Sequence, residues 1–348
     1  MHLRRWFAVL VALALVGAAG VAPASASHGA NGKVCVVNDF GGDENPFNAS
    51  AAAGSKEAKS KLHVDVETLN ADTEADIVAN IDAFVASGDC DLIFGIGFIT
   101  GLSFVPAIEA NPDQDFAMID FAFGGIFPNV AEVFFLPNEA AFLAGYVAAG
   151  VSETGKVGVF GGLPVPPVTL FMNGYALGVE RYNAEYGTDV EVLGWDPDTQ
   201  TGLFAFTFGD PAVGQAIASD LYDQGADTVF PVAGVTGFGA AFEAAERKAA
   251  GESVRVIGVD FDWVDVVGDP DRIVLTSVVK NWGAAVFNQI EALVEGTWEP
   301  GFVFEGLESG AVDIAPFHKL NRIVPGFLKN DLKLIRARII DGSIPTLP

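Results

Sequence analysis

Short apolar runs alternate with helical segments along almost the whole chain, and this alternation limits the possible folds more than any other feature. The run at 34–37 is continuously apolar, which is typical of a parallel strand buried on both faces. The segment 74–87 has its apolar residues at a helical period. The order β-α-β-α-β-α-β-β leads to position 136, and a similar order then begins again. The sequence therefore predicts an α/β fold with largely parallel sheets covered by helices.

The length of 348 residues exceeds the usual size of one hydrophobic core and predicts two lobes. We assign 33–137 and about 275–299 to the first lobe, and 138–270 and about 300–348 to the second. Because a C-terminal segment follows both halves, the chain is expected to cross between the lobes more than once. Such crossings would form a hinge that closes on a ligand.

Residues 1–26 have the pattern of a secretory signal peptide. Arg4 and Arg5 precede an apolar run, and the small residues at 24–26 suit a cleavage site. An uncleaved membrane anchor is the alternative, but the run is short for a bilayer and no basic residues follow it. We expect a soluble exported protein, periplasmic or extracellular, without a lipidation cysteine.

The strong acidity of the chain argues against a nucleic-acid partner. The net charge is −26, with 45 acidic and 19 basic residues, and loss of Arg4 and Arg5 would bring it to −28. Phosphate backbones require patches of Lys and Arg, which this composition scarcely supplies. An acidic surface favours solubility, and we expect a monomer.

Cys35 lies in the first predicted strand, and Cys90 directly precedes the strand predicted at 91–97. In an oxidising compartment they can pair if those strands are neighbours, and two buried free thiols are the alternative. The four histidines form no cysteine–histidine cluster with zinc-site spacing. We expect neither a metal nor a cofactor.

Several predicted strands end in a charged residue. Asp39, Asp120 and Asp260 close three of them, and Lys280 closes another. Ligands of open α/β sheets bind at the carboxyl ends of the strands, so these side chains are expected to face one cleft. A carboxylate accepts hydrogen bonds and cannot donate them, which favours a ligand with several hydroxyl or N–H donors and no phosphate. For any single Asp, helix capping or loop solvation is an equally good explanation.

Two aromatic residues lie in polar strand-to-helix connections. Phe47 is followed by Asn48, and Phe208 lies in Thr-Phe-Gly-Asp-Pro. Two such rings can sandwich a flat ligand, although core packing is the default for any one Phe in a chain with 28 of them. Gly234 follows a strand and opens a helical segment, where backbone amides can meet a polar ligand.

No P-loop, G-x-S-x-G elbow or H-E-x-x-H motif is present in the sequence. One enzymatic interpretation remains open, because Asp39, Asp43 and Glu44 resemble the aspartate-rich, calcium-binding first loop of nucleoside hydrolases.

Seven motifs, taken in order, are similar to one known family. They are Asn38-Asp-Phe-Gly-Gly42 with Phe47-Asn48, Asp91-Leu-Ile-Phe-Gly-Ile-Gly-Phe98, Phe142-Leu-Ala-Gly-Tyr146, Gly155-Lys-Val-Gly158, Tyr222-Asp-Gln-Gly-Ala-Asp227, Val256-Ile-Gly-Val-Asp260 and Leu275-Thr-Ser-Val-Val-Lys280. The chain resembles the basic membrane protein family of ABC-transporter substrate-binding proteins, the PnrA-like purine-nucleoside receptors, from about Lys33 to Pro345.

This resemblance implies a type I periplasmic-binding fold, no catalysis, and a nucleoside, with a purine base as the first expectation, delivered to an ABC permease. It implies that Phe47 and Phe208 stack on the base. The implied polar contacts come from Asp39, Asn48 and Asp120, with Asp260 and Lys280 on the ribose. The chain departs from the family pattern at Phe121, Phe261 and Trp263. A hydrolase-like enzyme, or a receptor for another polar solute such as a sugar, is the alternative.

Overall fold

The computed structural model describes residues 32–42, 45–266 and 272–348. The predicted signal peptide, Asp43 and Glu44 lie outside the described residues. Within them, none of the helices is long and apolar enough to cross a membrane.

Helices and strands alternate as the sequence pattern predicts. The first part of the chain forms β1 (Lys33–Phe40), α1 (Pro46–Lys61), β2 (Asp65–Ala71), α2 (Glu74–Ser87), β3 (Leu92–Ile96), α3 (Phe98–Ala110), β4 (Phe116–Ile119) and β5 (Val130–Phe135). The second part forms α4 (Pro137–Val151), β6 (Lys156–Gly161), α5 (Pro166–Tyr186), β7 (Glu191–Leu193), β8 (Trp195–Asp196), β9 (Thr201–Gly202), α6 (Pro211–Asp223), β10 (Thr228–Val232), α7 (Phe238–Ala249), β11 (Arg255–Asp260), α8 (Trp263–Val266) and β12 (Val274–Lys280). The C-terminal part adds α9 (Trp282–Glu295), β13 (Gly301–Glu305), β14 (Val312–Ile314) and α10 (Gly326–Ile340).

These elements build two six-stranded sheets, one in each lobe, while β8 and β9 form a separate two-stranded antiparallel sheet. The first has the order β13-β5-β4-β3-β1-β2 and is parallel throughout, and the second has the order β14-β12-β11-β10-β6-β7 with only β14 antiparallel. Both are covered by helices, as buried parallel strands require. In the first lobe, α2 and α3 pack on one face around Ile77, Ile81 and Phe104. The predicted α/β class with two parallel-sheet lobes is confirmed.

Three chain segments cross between the lobes. They follow β5, β12 and β13. Two hydrogen bonds join the first crossing to the third: Leu136 N donates to Glu305 O at 2.8 Å, and Leu307 N donates to the Glu139 carboxylate at 2.7 Å. The predicted multi-strand hinge is therefore present.

Two strands lie in the opposite lobe from the one we expected. The segment 275–280 belongs to β12, which pairs with β11 in the second sheet, and β13 pairs with β5 in the first. The chain crosses only after Lys280 and crosses back after Glu305. The boundaries were wrong because local periodicity identifies a strand but not its neighbours, which long-range pairing decides.

Helices α1 and α9 make a close contact that brings the crossing after β12 near the loop that follows β1. A Cβ at Gly54 would lie 2.0 Å from the carbonyl oxygen of Gly283, so glycine is needed at this contact. Gly283 N also donates to Ser50 Oγ at 3.1 Å. The amino-terminal ends of both helices, with Phe47 and Trp282, are thereby held together.

Cys35 and Cys90 form a disulfide with Cα atoms 5.8 Å apart. Cys35 lies in β1 and Cys90 just before β3, and these strands pair directly. Of the two alternatives left open by the sequence, pairing is the correct one.

Candidate ligand-binding site

A cluster of charges lies where strands of both lobes end. Lys280 Nζ is 3.0 Å from Asp120 Oδ2 of the first lobe and 3.9 Å from Asp260 Oδ1 of the second. Both aspartates have left-handed backbones, with φ of +65° and +66°. Asp tolerates this conformation better than most residues, and such strain is commonly found at ligand sites. The structure thus joins three of the residues chosen from the sequence.

Lys280 is enclosed by aromatic rings as well as by carboxylates. Its side chain is 7% exposed, and Nζ lies 5.5 Å from the ring centre of Phe135 and 5.4 Å from that of Phe171. Both distances are within the range of cation–π attraction. Burial by itself lowers the pKa of the ammonium, but the Asp120 and Asp260 carboxylates outweigh it and the pKa is raised. Lys280 is therefore a firmly charged donor.

The environment of Asp260, unlike that of Lys280, disfavours the charged form of the side chain. Burial raises the pKa of its carboxyl, Lys280 lowers it, and Asp120 raises it again, so the net shift is upward. The Asp260 side chain is still 19% exposed. Because two carboxylates share one ammonium, lone pairs remain for a ligand with hydroxyl donors.

Three aromatic rings meet beside this charge cluster. The ring centre of Phe47 is 4.6 Å from that of Phe261 and 4.7 Å from that of Trp282. Phe135 connects the two groups, since its ring lies 5.7 Å from Trp282 and 5.5 Å from Lys280 Nζ. We call Phe47, Phe261 and Trp282 the ring cluster. It combines a helix of the first lobe, a strand end of the second lobe and a crossing segment.

Asn48 differs from our expectation of a ligand contact. Its side chain is fully buried, and Nδ2 donates to the carbonyls of Asp39 and Gly42 at 2.8 and 2.9 Å. Its Oδ1 accepts from Asp39 N at 3.1 Å. With both amide hydrogens used, Asn48 holds the loop after β1. Asp39 itself is 9% exposed and lies against the end of β3, where a Cβ at Gly97 would be 2.8 Å from Asp39 Oδ2.

Phe208 and Gly234 form a separate pair in the second lobe. Phe208 is 41% exposed, and a Cβ at Gly162 would lie 2.2 Å from its ring. Gly234 has φ of +55° and begins a short 3-10 turn, Gly234–Gly237, whose Thr236 N donates to Phe208 O at 3.1 Å. Among the residues that the structure describes, the ring contacts of Phe47 go to the ring cluster and not to Phe208.

Four aromatic residues of the site were not singled out as ligand contacts from the sequence: Phe135, Phe171, Phe261 and Trp282. The sequence could have indicated two of them as site residues, because Phe261 directly follows Asp260 and Trp282 follows Lys280 by two positions. Phe135 closes a strand, as the charged residues do. Phe171 lies inside α5 and nothing in its local sequence distinguishes it.

Known proteins agree with this architecture. The family described as "ABC transporter substrate-binding protein PnrA-like" matches residues 32–340. A protein named "ABC transporter nucleoside-binding protein BmpA" from Lactococcus lactis is 28% identical, covering 97% of this chain and 98% of its own. An uncharacterized lipoprotein of Pyrococcus furiosus is 31% identical over 87% of this chain and 75% of its own.

A solved structure extends the likeness to three dimensions. The ABC transporter solute-binding protein of Aeropyrum pernix K1 has a TM-score of 0.70 and 27% identity, covering 90% of this chain and 92% of its own. These relatives are substrate-binding proteins rather than enzymes, and proteins of this kind work outside the cytoplasm with a small-molecule ligand and a membrane permease. The chain belongs to the PnrA-like, or Bmp, family of ABC-transporter substrate-binding proteins.

Proposed function

We propose that this protein is an exported nucleoside receptor that delivers its ligand to an ABC permease and performs no chemistry. The observation that carries the proposal is the Lys280 charge cluster lying directly beside the ring cluster. A nucleoside has the same two parts, a flat base and a ribose with several hydroxyl donors. The relative named as nucleoside-binding supports the same ligand class.

The residues take complementary roles in this proposal. Asp260 and Lys280 bind ribose hydroxyls, with Asp120 holding the ammonium and accepting from the ligand. Phe47 stacks on the base, and Phe208, exposed on the second lobe, closes over it. Asp39 and the Gly234 amide bind polar edges of the ligand, while Asn48 keeps the first loop in place.

Calorimetry with the full-length mature protein tests the proposal. We expect heat of binding with inosine, adenosine, uridine or cytidine, and much weaker binding of free ribose or free base, because each offers only half of the contacts. Ribose binding as tight as that of every nucleoside would identify a sugar receptor instead. Release of free base during incubation with calcium would support the hydrolase alternative, and no binding of any nucleoside would refute the proposal.

The two stacking rings give a second prediction. Phe47→Ala and Phe208→Ala should each weaken nucleoside binding by roughly 1–3 kcal/mol, about tenfold to a hundredfold in Kd. Binding of ribose alone should change little. Phe242→Ala serves as the matched control, since Phe242 is 50% exposed on α7 and, among the described residues, is not one of the ring contacts of either cluster. Full nucleoside affinity in both folded site variants would show that these rings do not contact the base.

A further inference from the structure

Phe261 is directed into the cleft by a tight turn at the end of β11. Asp260 has φ of +66°, and Phe261 N donates to Val259 O, two residues earlier, at 2.8 Å. A positive φ enclosed by such a bond is a γ-turn, which reverses the chain within three residues. The ring of Phe261 therefore faces the opposite lobe, where it meets Phe47.

The residues after Phe261 anchor its backbone. Asp262 Oδ2 is 2.6 Å from His318 Nε2. Trp263 N donates to Ser277 Oγ at 3.0 Å, and its indole N–H donates to Val259 O at 3.1 Å. With Asp260 paired in the sheet on the other side, the backbone of Phe261 is fixed at both ends. The backbone therefore holds the Cβ of Phe261 at the cleft, and only rotation of the side chain can move the ring.

The ring cluster leaves no room for a base between Phe47 and Phe261. A flat ligand sandwiched between two rings requires about 7 Å between them, twice the contact distance of carbon atoms. The observed separation of the ring centres is 4.6 Å. Trp282 is the other ring in contact with Phe47. It is 3% exposed and also packs against Phe135, so its position is fixed by its neighbours. Space beside Phe47 is therefore limited by Phe261.

We propose that Phe261 is a specificity-determining residue that limits the size of the base bound beside Phe47. This rests on the proposed nucleoside function. A two-ring base must extend further along Phe47 than a one-ring base, so it meets the fixed Phe261 first. Shortening Phe261 opens this space without touching the charges that hold the ribose.

The test is a comparison of selectivity. Calorimetry would measure Kd for inosine, adenosine, uridine and cytidine with the wild-type protein, Phe261→Ala and Phe261→Leu. We expect Phe261→Ala to shift the preference toward the two-ring nucleosides by about tenfold or more, and Phe261→Leu to shift it in the same direction by less. Phe242→Ala, which removes an equally large ring from the surface of α7, should leave the ratio unchanged.

The outcomes separate this inference from the proposed function. If the wild-type protein binds nucleosides and the ratio is the same in both folded Phe261 variants, Phe261 does not determine base size and the receptor role stands. Equal weakening of all four nucleosides would also overturn the inference, because it would make Phe261 a stacking wall. If the wild-type protein binds no nucleoside, the proposed function fails and the inference fails with it.

Discussion

Lys280→Met is expected to destabilise the ligand-free protein by about 3–5 kcal/mol, the cost of removing one partner from a buried ion pair. The variant leaves Asp120 and Asp260 facing each other without the ammonium that lies 3.0 and 3.9 Å away. Met keeps most of the apolar stem that packs between Phe135 and Phe171. Urea denaturation at neutral pH, followed by circular dichroism, measures the change in unfolding free energy.

The same variant should be less impaired in acid. Lys280 lowers the pKa of Asp260, so its loss raises that pKa further above the ordinary value. A raised folded-state pKa gives stability that is present at low pH and is lost as the pH rises through it. The difference between the variant and the wild-type protein should accordingly shrink as the pH falls.

A matched control uses an ion pair with the same separation on the surface. Lys59 Nζ is 3.0 Å from Asp65 Oδ1, but the two side chains are 58% and 63% exposed. Lys59→Met should have a far smaller effect, because an exposed ion pair contributes little to stability. A second variant, Lys280→Met with Asp120→Asn, should recover part of the loss because one unpaired charge is gone. Equal, small costs for Lys280→Met and Lys59→Met would show that the cleft charges are solvated like surface charges.

The charged part of the site follows from sequence to a large extent. Alternating strands and helices place acids at strand ends, and parallel strands bring their carboxyl ends to one edge. Because β11 and β12 are neighbours, Asp260 and Lys280 must lie close together. Asp120 comes from the other sheet, and its contact with Lys280 depends on the three crossings at the hinge. Local periodicity predicts neither that contact nor the sheet to which β12 belongs.

The aromatic part of the site was harder to predict, for two physical reasons. With 28 Phe in the chain, composition does not distinguish a ligand contact from a core residue. The direction of Phe261 depends on the γ-turn at Asp260, and a γ-turn has no periodic pattern. Asn48 was chosen as a ligand contact because an amide can bind a ligand as well as a loop. Only its complete burial in the structure indicates that it binds the loop.

Asp260→Asn is expected to weaken nucleoside binding by roughly 3 kcal/mol, about a hundredfold in Kd, because an ionised acceptor is lost to the ribose hydroxyls. Asn tolerates the left-handed backbone at this position, so the γ-turn and the direction of Phe261 should be kept. Calorimetry with the best-bound nucleoside measures the loss. A ligand analogue without ribose hydroxyls should be much less affected.

The same substitution should make the ligand-free protein more stable at neutral pH. The pKa of Asp260 is raised in the folded state, chiefly by burial, so folding favours its protonated form. Its favourable contribution is complete below the unfolded-state pKa of about 3.9 and is lost as the pH rises through the folded-state pKa. Asn removes that loss, and the gain in melting temperature should therefore be seen at neutral pH and disappear in acid. As the pH is lowered, the nucleoside affinity of the wild-type protein should begin to fall at a higher pH than it would with an aspartate of ordinary pKa.

Asp65→Asn is the matched control, with the opposite sign expected. The pKa of Asp65 is lowered, first of all by its hydrogen bond to Lys59, so its ionised form supports the fold above the unfolded-state pKa and that support is lost as the pH falls. Its replacement should slightly lower the melting temperature at neutral pH and leave ligand affinity unchanged. If Asp260→Asn also lowers the melting temperature at neutral pH, Lys280 stabilises the Asp260 carboxylate by more than burial costs it. In that case the Asp260 carboxylate would serve mainly to stabilise the fold, and this argument for its accepting hydrogen bonds from a ligand would fail.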